Sequence, residues 1–250
     1  MEKLTAIIPT FNEQHNVVDA IESVLFADEV IVIDSYSSDN TTTLAKKKNV
    51  TVIQHKFNNF SSMRNFAINQ ATNNWILFLD ADERIPDNLK NEIKNNLNDP
   101  KEFVAFGFYR RFYFKGSPLK FSGYQTDKVY RLFDKNHAFY DKDKLVHETL
   151  KINGKTKLLK YKLDHYSYKN EKDYKDKLNK YAQLRAKELY LKKIKPNLYH
   201  FYIKPAYRFF HHYIIRLGFL DGNNGFKISK LNAYEVKQRY IELKNLCKTI

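Results

Sequence analysis

The sequence predicts an α/β fold: a doubly wound, mostly parallel sheet flanked by helices, continued by a helical, basic C-terminal region. Three observations predict it. Apolar runs of strand length alternate with amphipathic, helix-length segments through the first 80 or so residues. Each apolar run ends in polar or acidic residues, as strands do where a parallel sheet opens onto a crevice. Beyond Asp99 the texture changes to aromatic and basic residues, and the last third reads as long helices.

The elements follow in order. Leu4–Pro9 is an apolar strand closed by proline, and Thr10–Glu13 a polar loop. Asn12 is placed to cap a helix over Gln14–Phe26, with Val17, Ala20, Ile21, Val24 and Leu25 on one face. Glu29–Asp34 is a second buried strand, and Ser35–Thr41 a loop opening onto a helix at Thr42–Lys48. Val50–Gln54 is a third strand, Phe60–Gln70 a helix and Trp75–Leu79 a fourth strand. Pro86–Leu97 reads as a surface helix. Phe103–Phe114 alternates aromatic and basic residues, Val129–Phe133 is strand-like, and Gly116, Pro118 and Gly123 mark the intervening turns. Residues 171–194 form a charged helix with Tyr174, Leu178, Tyr181, Leu184 and Leu191 on its apolar stripe. Leu198–Leu217 is a second helix, which Pro205 should kink or break, and Tyr234–Leu246 a third. The domain reading is a core over residues 1–170, split into halves of 1–98 and 99–170, with a helical extension over 171–250.

At 250 residues, 43% of them hydrophobic, the chain can bury a full core. One cysteine, Cys247, excludes an internal disulfide and fits a reducing cytoplasm; Leu4–Pro9 is too short for a signal peptide. Charge is unevenly spread. The first 100 residues carry 9 Lys+Arg against 14 Asp+Glu, so the remainder carries 34 against 14, a net of +20 within the whole-chain +15. Such asymmetry suits one surface that tolerates a cation and another that attracts polyanions or an anionic membrane.

The chemistry-bearing residues sit at predicted strand ends. Asp80 and Asp82, separated only by Ala81, follow a buried strand and form a D-x-D pair able to hold Mg²⁺ or Mn²⁺ through oxygen ligands. Asp34 can accept from a base N–H, and Arg64 can pair with base oxygens or phosphate through its rigid fork. No G-x-G-x-x-G and no P-loop occurs, which counts against dinucleotide oxidoreductases and NTPases.

Pro9-Thr-Phe-Asn-Glu13, Val32-Ile-Asp-Ser-Tyr-Ser-Ser-Asp39, Met63-Arg-Asn-Phe-Ala-Ile-Asn-Gln-Ala71 and Phe78-Leu-Asp-Ala-Asp-Glu83 together resemble, in order and spacing, the successive motifs of the family 2 glycosyltransferases, inverting enzymes of GT-A fold. The resemblance implies that Pro9, Thr10 and Glu13 line the nucleotide pocket, that Asp34 and Arg64 contact the base, that Asp80 lies by the ribose and diphosphate, and that Asp82, with Asp80, serves the metal. The family usually carries a second acid and a glycine after Asp34, where this chain has Ser35 and Tyr36. Val146-His-Glu148, Asp164-His-Tyr-Ser-Tyr168 and Gly218–Phe226 are similar to a subgroup that adds glucose to the inner core of lipopolysaccharide.

Inverting transfer needs one base for the acceptor hydroxyl. Glu148 is the candidate, His147 its orienting neighbour or a packing residue, and Asp127 a rival. His165 is either a further metal ligand or structural, and Arg131 a weak candidate for the acceptor. The implied donor is a nucleotide sugar, UDP-glucose by resemblance. The implied acceptor is an anionic glycolipid, with a polyprenyl-linked or capsule glycan as the alternative. Nucleic-acid binding is the distant alternative and is not expected. In Leu198–Leu217, His200, Lys204, Arg208, His212 and Arg216 form a polar stripe amid aromatics. That pattern suits a helix lying in a membrane interface or an ordinary amphipathic helix packed on the sheet. The expected location is cytoplasmic, peripheral on the inner face of the cytoplasmic membrane.

Overall fold

The structure, a computed structural model, describes residues 2–141, 150–168 and 171–248. The chain divides into two compact units, Met1–Arg110 with Lys128–His165, and Arg111–Asp127 with Tyr166–Ile250.

The first unit is built on four parallel strands: β1 (Leu4–Thr10), β2 (Glu29–Asp34), β3 (Thr51–Gln54) and β4 (Trp75–Phe78). Their order is β3-β2-β1-β4, so the connection reverses direction across the sheet between β1 and β4. Ligands bind at such a reversal, outside the carboxyl ends of the strands. Helices cover both faces. On one, α1 (Val17–Val24) and α4 (Asp87–Asn98) bury Ala20, Ile21, Leu89 and Ile93 against Ala6, Ile8, Val32 and Leu77. On the other, α3 (Phe60–Gln70) buries Met63, Ala67 and Ile68 against Ile7, Ile31, Ile33 and Ile76. Strand neighbours thus point to opposite cores, which is why these strands read as unbroken apolar runs. A short helix, α2 (Thr41–Lys46), joins β2 to β3.

A two-residue strand, β5 (Glu83–Arg84), follows the aspartates. Beyond β4 the sheet turns antiparallel. β6 (Phe103–Phe114) pairs along its first part with β8 (Lys128–Asp134), and β8 with β4. β7 (Ser117–Leu119) belongs to the second unit. β9 (Ala138–Tyr140) pairs antiparallel with β10 (Leu150–Ile152), and β11 (Lys155–Leu158) runs parallel to β6. β12 (Leu163–Tyr168) sets His165 opposite Glu83.

Two expectations for this unit need correction. Helix α1 is shorter than Gln14–Phe26, and Asn12 does not cap it. Asn12 takes a left-handed backbone, φ 57°, and accepts from the Ser38 amide at 2.8 Å. It therefore fastens one strand-end loop to the next. Helix α3 matches its expected bounds, and Asn59 caps it by accepting from the Ser62 amide at 2.8 Å.

In the second unit Phe112–Phe114 pair with β7, and the core joins Phe112, Phe114 and Leu119 to α5 (Glu171–Leu191) and α7 (Gly222–Lys248). The buried stripe of α5 is Tyr174, Leu178, Ala182 and Ala186, whereas Tyr181, Leu184 and Leu191 are exposed. Two alanines bring the helices close, and side-chain size rather than hydropathy selects the packed face. The Gly218–Phe226 segment has a packing reason of its own. A Cβ on Gly225 would lie 1.8 Å from the Gly218 carbonyl oxygen, and Asp221 accepts from the Lys120 amide and the Ser122 hydroxyl. Leu198–Ile215 is helical throughout, with wide π-type turns on both sides of α6 (Lys204–Phe210). Pro205 lies inside this continuous helix, directly after the π-type turns of Tyr199–Ile203, and it neither breaks nor ends the helix; wide turns of that kind are where a helix absorbs a proline.

Candidate active site

The candidate residues of the first unit gather at the carboxyl ends of β1, β2 and β4. Pro9 and Thr10 end β1, and the Thr10 hydroxyl donates to Asp34 Oδ1 at 3.2 Å. Asp34 is fully buried; its other oxygen accepts from the Ser37 amide at 2.9 Å, and the Ser37 hydroxyl donates to Oδ1. The Glu13 amide donates to Thr41 Oγ1 at 2.8 Å, and its carboxylate accepts from Asn16 Nδ2 at 2.6 Å. Two loops are thereby stitched into one rim. Tyr36 has φ 60°, the left-handed backbone that glycine adopts freely, at the position where the resemblance leads one to expect glycine. Its side chain and that of Phe11 are exposed on this rim.

Deeper in, a charged cluster forms around β4 and β5. Arg64, on α3, donates from Nη2 to Asp80 Oδ1 at 3.3 Å and from Nη1 to the Tyr140 hydroxyl at 3.1 Å, with its guanidinium over the rings of Phe78 and Tyr140. Arg131, on β8, pairs with Asp80 Oδ2 and with Glu83 Oε1 at 3.4 Å. Arg110 reaches the same Glu83 oxygen at 3.3 Å, while the Asp80 amide donates to the other at 3.0 Å. Burial alone would push the Asp80 carboxyl up. The guanidinium of Arg131, then Arg64 and His165, offset this and hold it well below the usual carboxylate range. Burial likewise works against the Arg131 charge, and Asp80 and Glu83 outweigh it, raising its affinity for its proton.

The cluster sets two carboxylates, Asp80 and Glu83, against three guanidiniums. The cluster sits at the carboxyl end of β4, beside the sheet reversal. Asp82 meets His165, Oδ2 to Nε2 at 3.2 Å. A carboxylate beside an imidazole offers two donors to a divalent cation, and such ions fill the rest of their shell with water and phosphate oxygens. Among the described residues no group of three or more His, Cys, Asp or Glu side chains is arranged for a metal. The donor set therefore suits a cation shared with a ligand.

The profile of the family described as "Glycosyl transferase family 2" matches residues 5–161. The chain belongs to that family. It is a glycosyltransferase, and the cluster lies inside the matched span. An uncharacterized glycosyltransferase of Rickettsia felis is 29% identical over 98% of this chain and 90% of its own length. The lipopolysaccharide core biosynthesis glycosyltransferase LpsC of Rhizobium meliloti is 24% identical over 95% of this chain and 93% of its own. Among solved structures, glucosyl-3-phosphoglycerate synthase of Mycobacterium tuberculosis in complex with Mn²⁺, UDP and glucosyl-3-phosphoglycerate superposes at a TM-score of 0.39 with 18% identity, over 44% of each chain.

The structure brings together Pro9, Thr10, Glu13 and Asp34 at the rim, and Arg64, Asp80 and Arg131 in the cluster beside Asp82. His147 and Glu148 lie outside the described residues. Asp127 belongs to the second unit. Sequence reasoning missed Glu83 as the hub and Tyr140 as the partner of Arg64. An acid directly after the D-x-D pair was the available signal for Glu83; nothing local announced Tyr140.

Proposed function

We propose that this glycosyltransferase moves a hexosyl residue, glucose, from UDP-glucose to a lipopolysaccharide core acceptor, with inversion and with the help of Mg²⁺ or Mn²⁺. The observation that carries the reading is the cluster at the sheet reversal, with its three guanidiniums and the Asp82–His165 pair beside it. Kinship over most of the chain with an enzyme named for lipopolysaccharide core biosynthesis supports the acceptor class. A polyprenyl-linked or capsule glycan is the alternative acceptor. The reaction is read as taking place on the inner face of the cytoplasmic membrane; no helix among the described residues is long and apolar enough to cross a bilayer.

In this reading Pro9, Thr10, Glu13 and Asp34 form the base pocket, with Asp34 reaching the base by giving up a Ser37 contact. Asp82 and His165 would hold the cation, which supplies positive charge for the departing diphosphate. Asp80, with both oxygens on guanidiniums, orients Arg64 and Arg131 toward the phosphates and acceptor; it joins the cation only by giving up one of them. Glu148 takes the proton of the acceptor hydroxyl, whose oxygen bonds to the sugar C1 as the bond from C1 to the diphosphate breaks and UDP leaves. His147 orients Glu148. The segment carrying both is flanked by the Tyr140–Leu150 strand pair, and Tyr140 touches Arg64.

A panel of nucleotide sugars tests the proposal, each assayed for turnover and for thermal stabilisation with and without Mn²⁺. UDP-glucose should give the largest metal-dependent effect; a flat panel would remove the donor. Glu148→Gln should keep donor binding and lose transfer. If transfer survives in that variant, the base is another residue, and Asp127 is the next to replace.

A further inference from the structure

The helical segment from Leu198 to Ile215 is amphipathic in the wrong sense for a soluble surface. A helix packed on a core ordinarily buries its apolar stripe and leaves its charges in water. Here His200, Lys204 and His212 of the polar stripe turn inward within the second unit. Lys204 Nζ donates to the Tyr240 hydroxyl at 2.8 Å, the His200 ring lies 4.6 Å from that of Tyr240, and His212 Nδ1 donates to the Ser122 carbonyl at 2.8 Å. The outward face is aromatic and aliphatic. Tyr199, Tyr202, Ile203, Tyr207, Phe210 and Ile214 recur at helical spacing and are 52%, 65%, 56%, 61%, 51% and 43% exposed. The exposed apolar character continues through Leu217 and Leu220. Contiguous apolar patches on this scale mark an interaction surface.

Charge selects the occupant. From Lys192 to Lys230 the sequence holds eight Lys or Arg and one acid, Asp221, whose oxygens are taken up by the Lys120 and Phe121 amides and the Ser122 hydroxyl. Lys192, Lys193 and Lys195 are exposed at the head of the segment, and Arg208 is exposed along it. Tyrosines with apolar bodies and polar tips, flanked by cations, match the boundary between acyl chains and anionic headgroups. We propose that Leu198–Leu220 is an in-plane membrane anchor whose occupant is an anionic lipid bilayer. The aromatic face enters to headgroup depth, and the basic side chains engage lipid phosphates. This deepens the membrane location proposed above by naming the segment and the lipid charge, and it does not depend on the donor chemistry.

Flotation of the full-length protein on phosphatidylcholine vesicles with and without phosphatidylglycerol tests it. The wild type should float at least about tenfold more on the anionic vesicles, an advantage that added salt weakens. Tyr202→Ser/Tyr207→Ser/Phe210→Ser should cut that binding at least about tenfold while leaving Tm and UDP-sugar turnover unchanged. Lys192→Glu/Lys193→Glu/Lys195→Glu should weaken binding with the apolar face intact. The proposal is overturned if the wild type does not float on anionic vesicles, or if the serine variant floats as well as wild type. Self-association that the serine variant abolishes, with vesicle binding retained, would assign the face to a second copy of the chain. Loss of turnover with flotation retained would count against the catalytic reading alone.

Discussion

The charged cluster around Asp80 and the helical segment after Leu198 solve opposite problems with the same residue types. In the cluster, Arg64, Glu83 and Arg131 are buried, Asp80 and Arg110 partly so, and each charge has an opposite within reach, so the arrangement is fixed before any ligand arrives. In the segment, Lys204 and His212 turn inward, and the apolar side chains are left in contact with water. The first arrangement is held by its own ion pairs; the second is complete only against a partner. A buried polar cluster therefore speaks for preorganised chemistry, and an exposed apolar face speaks for an interface.

Substitutions can break this comparison at either end. The largest effect is expected from Asp82→Ala. It removes the carboxylate that pairs with His165, so turnover should fall at least about 10²-fold, in line with the loss of one electrostatic stabiliser. Wild-type metal dependence in this variant would contradict the role. Next comes Glu83→Ala. With Glu83 gone, Arg110 and Arg131 lose the carboxylate they share, and breaking a buried pair costs about 3–5 kcal/mol; chemical denaturation should report it. The serine triple variant of the exposed face is the counterpart and should stay within about 0.5 kcal/mol of wild type by the same measurement.

Why was one region readable and the other not? The strand ends were legible because topology leaves them little choice. Once four apolar runs are parallel, the residues after each run must share one edge, and Thr10, Asp34 and Asp80 do. Helix α3 keeps its expected bounds, Phe60–Gln70, and the structure adds the Asn59 cap that fixes its start. The hub role of Glu83 was not, because its guanidiniums come from Arg110 and Arg131, 27 and 48 residues later. The facing of Leu198–Leu217 was not legible either, since a periodic pattern says that a helix has two faces and not which one is covered. The stripe of α5 failed for a related reason. Ala182 and Ala186 carry little hydropathy, yet they let α5 approach α7, and the larger Leu184 and Leu191 were left outside.

Acid titration sharpens the comparison with a smaller effect. The Asp80 pKa lies below its unfolded value of about 3.9. The stability from its ion pairs is thus complete above that value and is lost as pH falls through the depressed folded value. Unfolding followed below about pH 4 should show a shallower acid limb in Asp80→Asn than in wild type. The limb should not vanish, because Glu29 is also depressed: its hydrogen bonds from Thr5 and Thr72 outweigh the burial that would raise it. An unchanged limb would mean that the Asp80 pairs do not contribute to folding. The exposed segment has no such carboxylate, and its serine variant should titrate as wild type does.

The most direct test of the central claim is thermal stabilisation by UDP with Mn²⁺, compared with each alone, in wild type and in Asp82→Ala. If the cation is held by Asp82 and His165 and shared with the diphosphate, wild type should show a shift with the pair that exceeds the sum of the separate shifts, and Asp82→Ala should lose that excess. An equal shift by UDP in the presence of a chelator, or an excess that survives in the variant, would contradict the site.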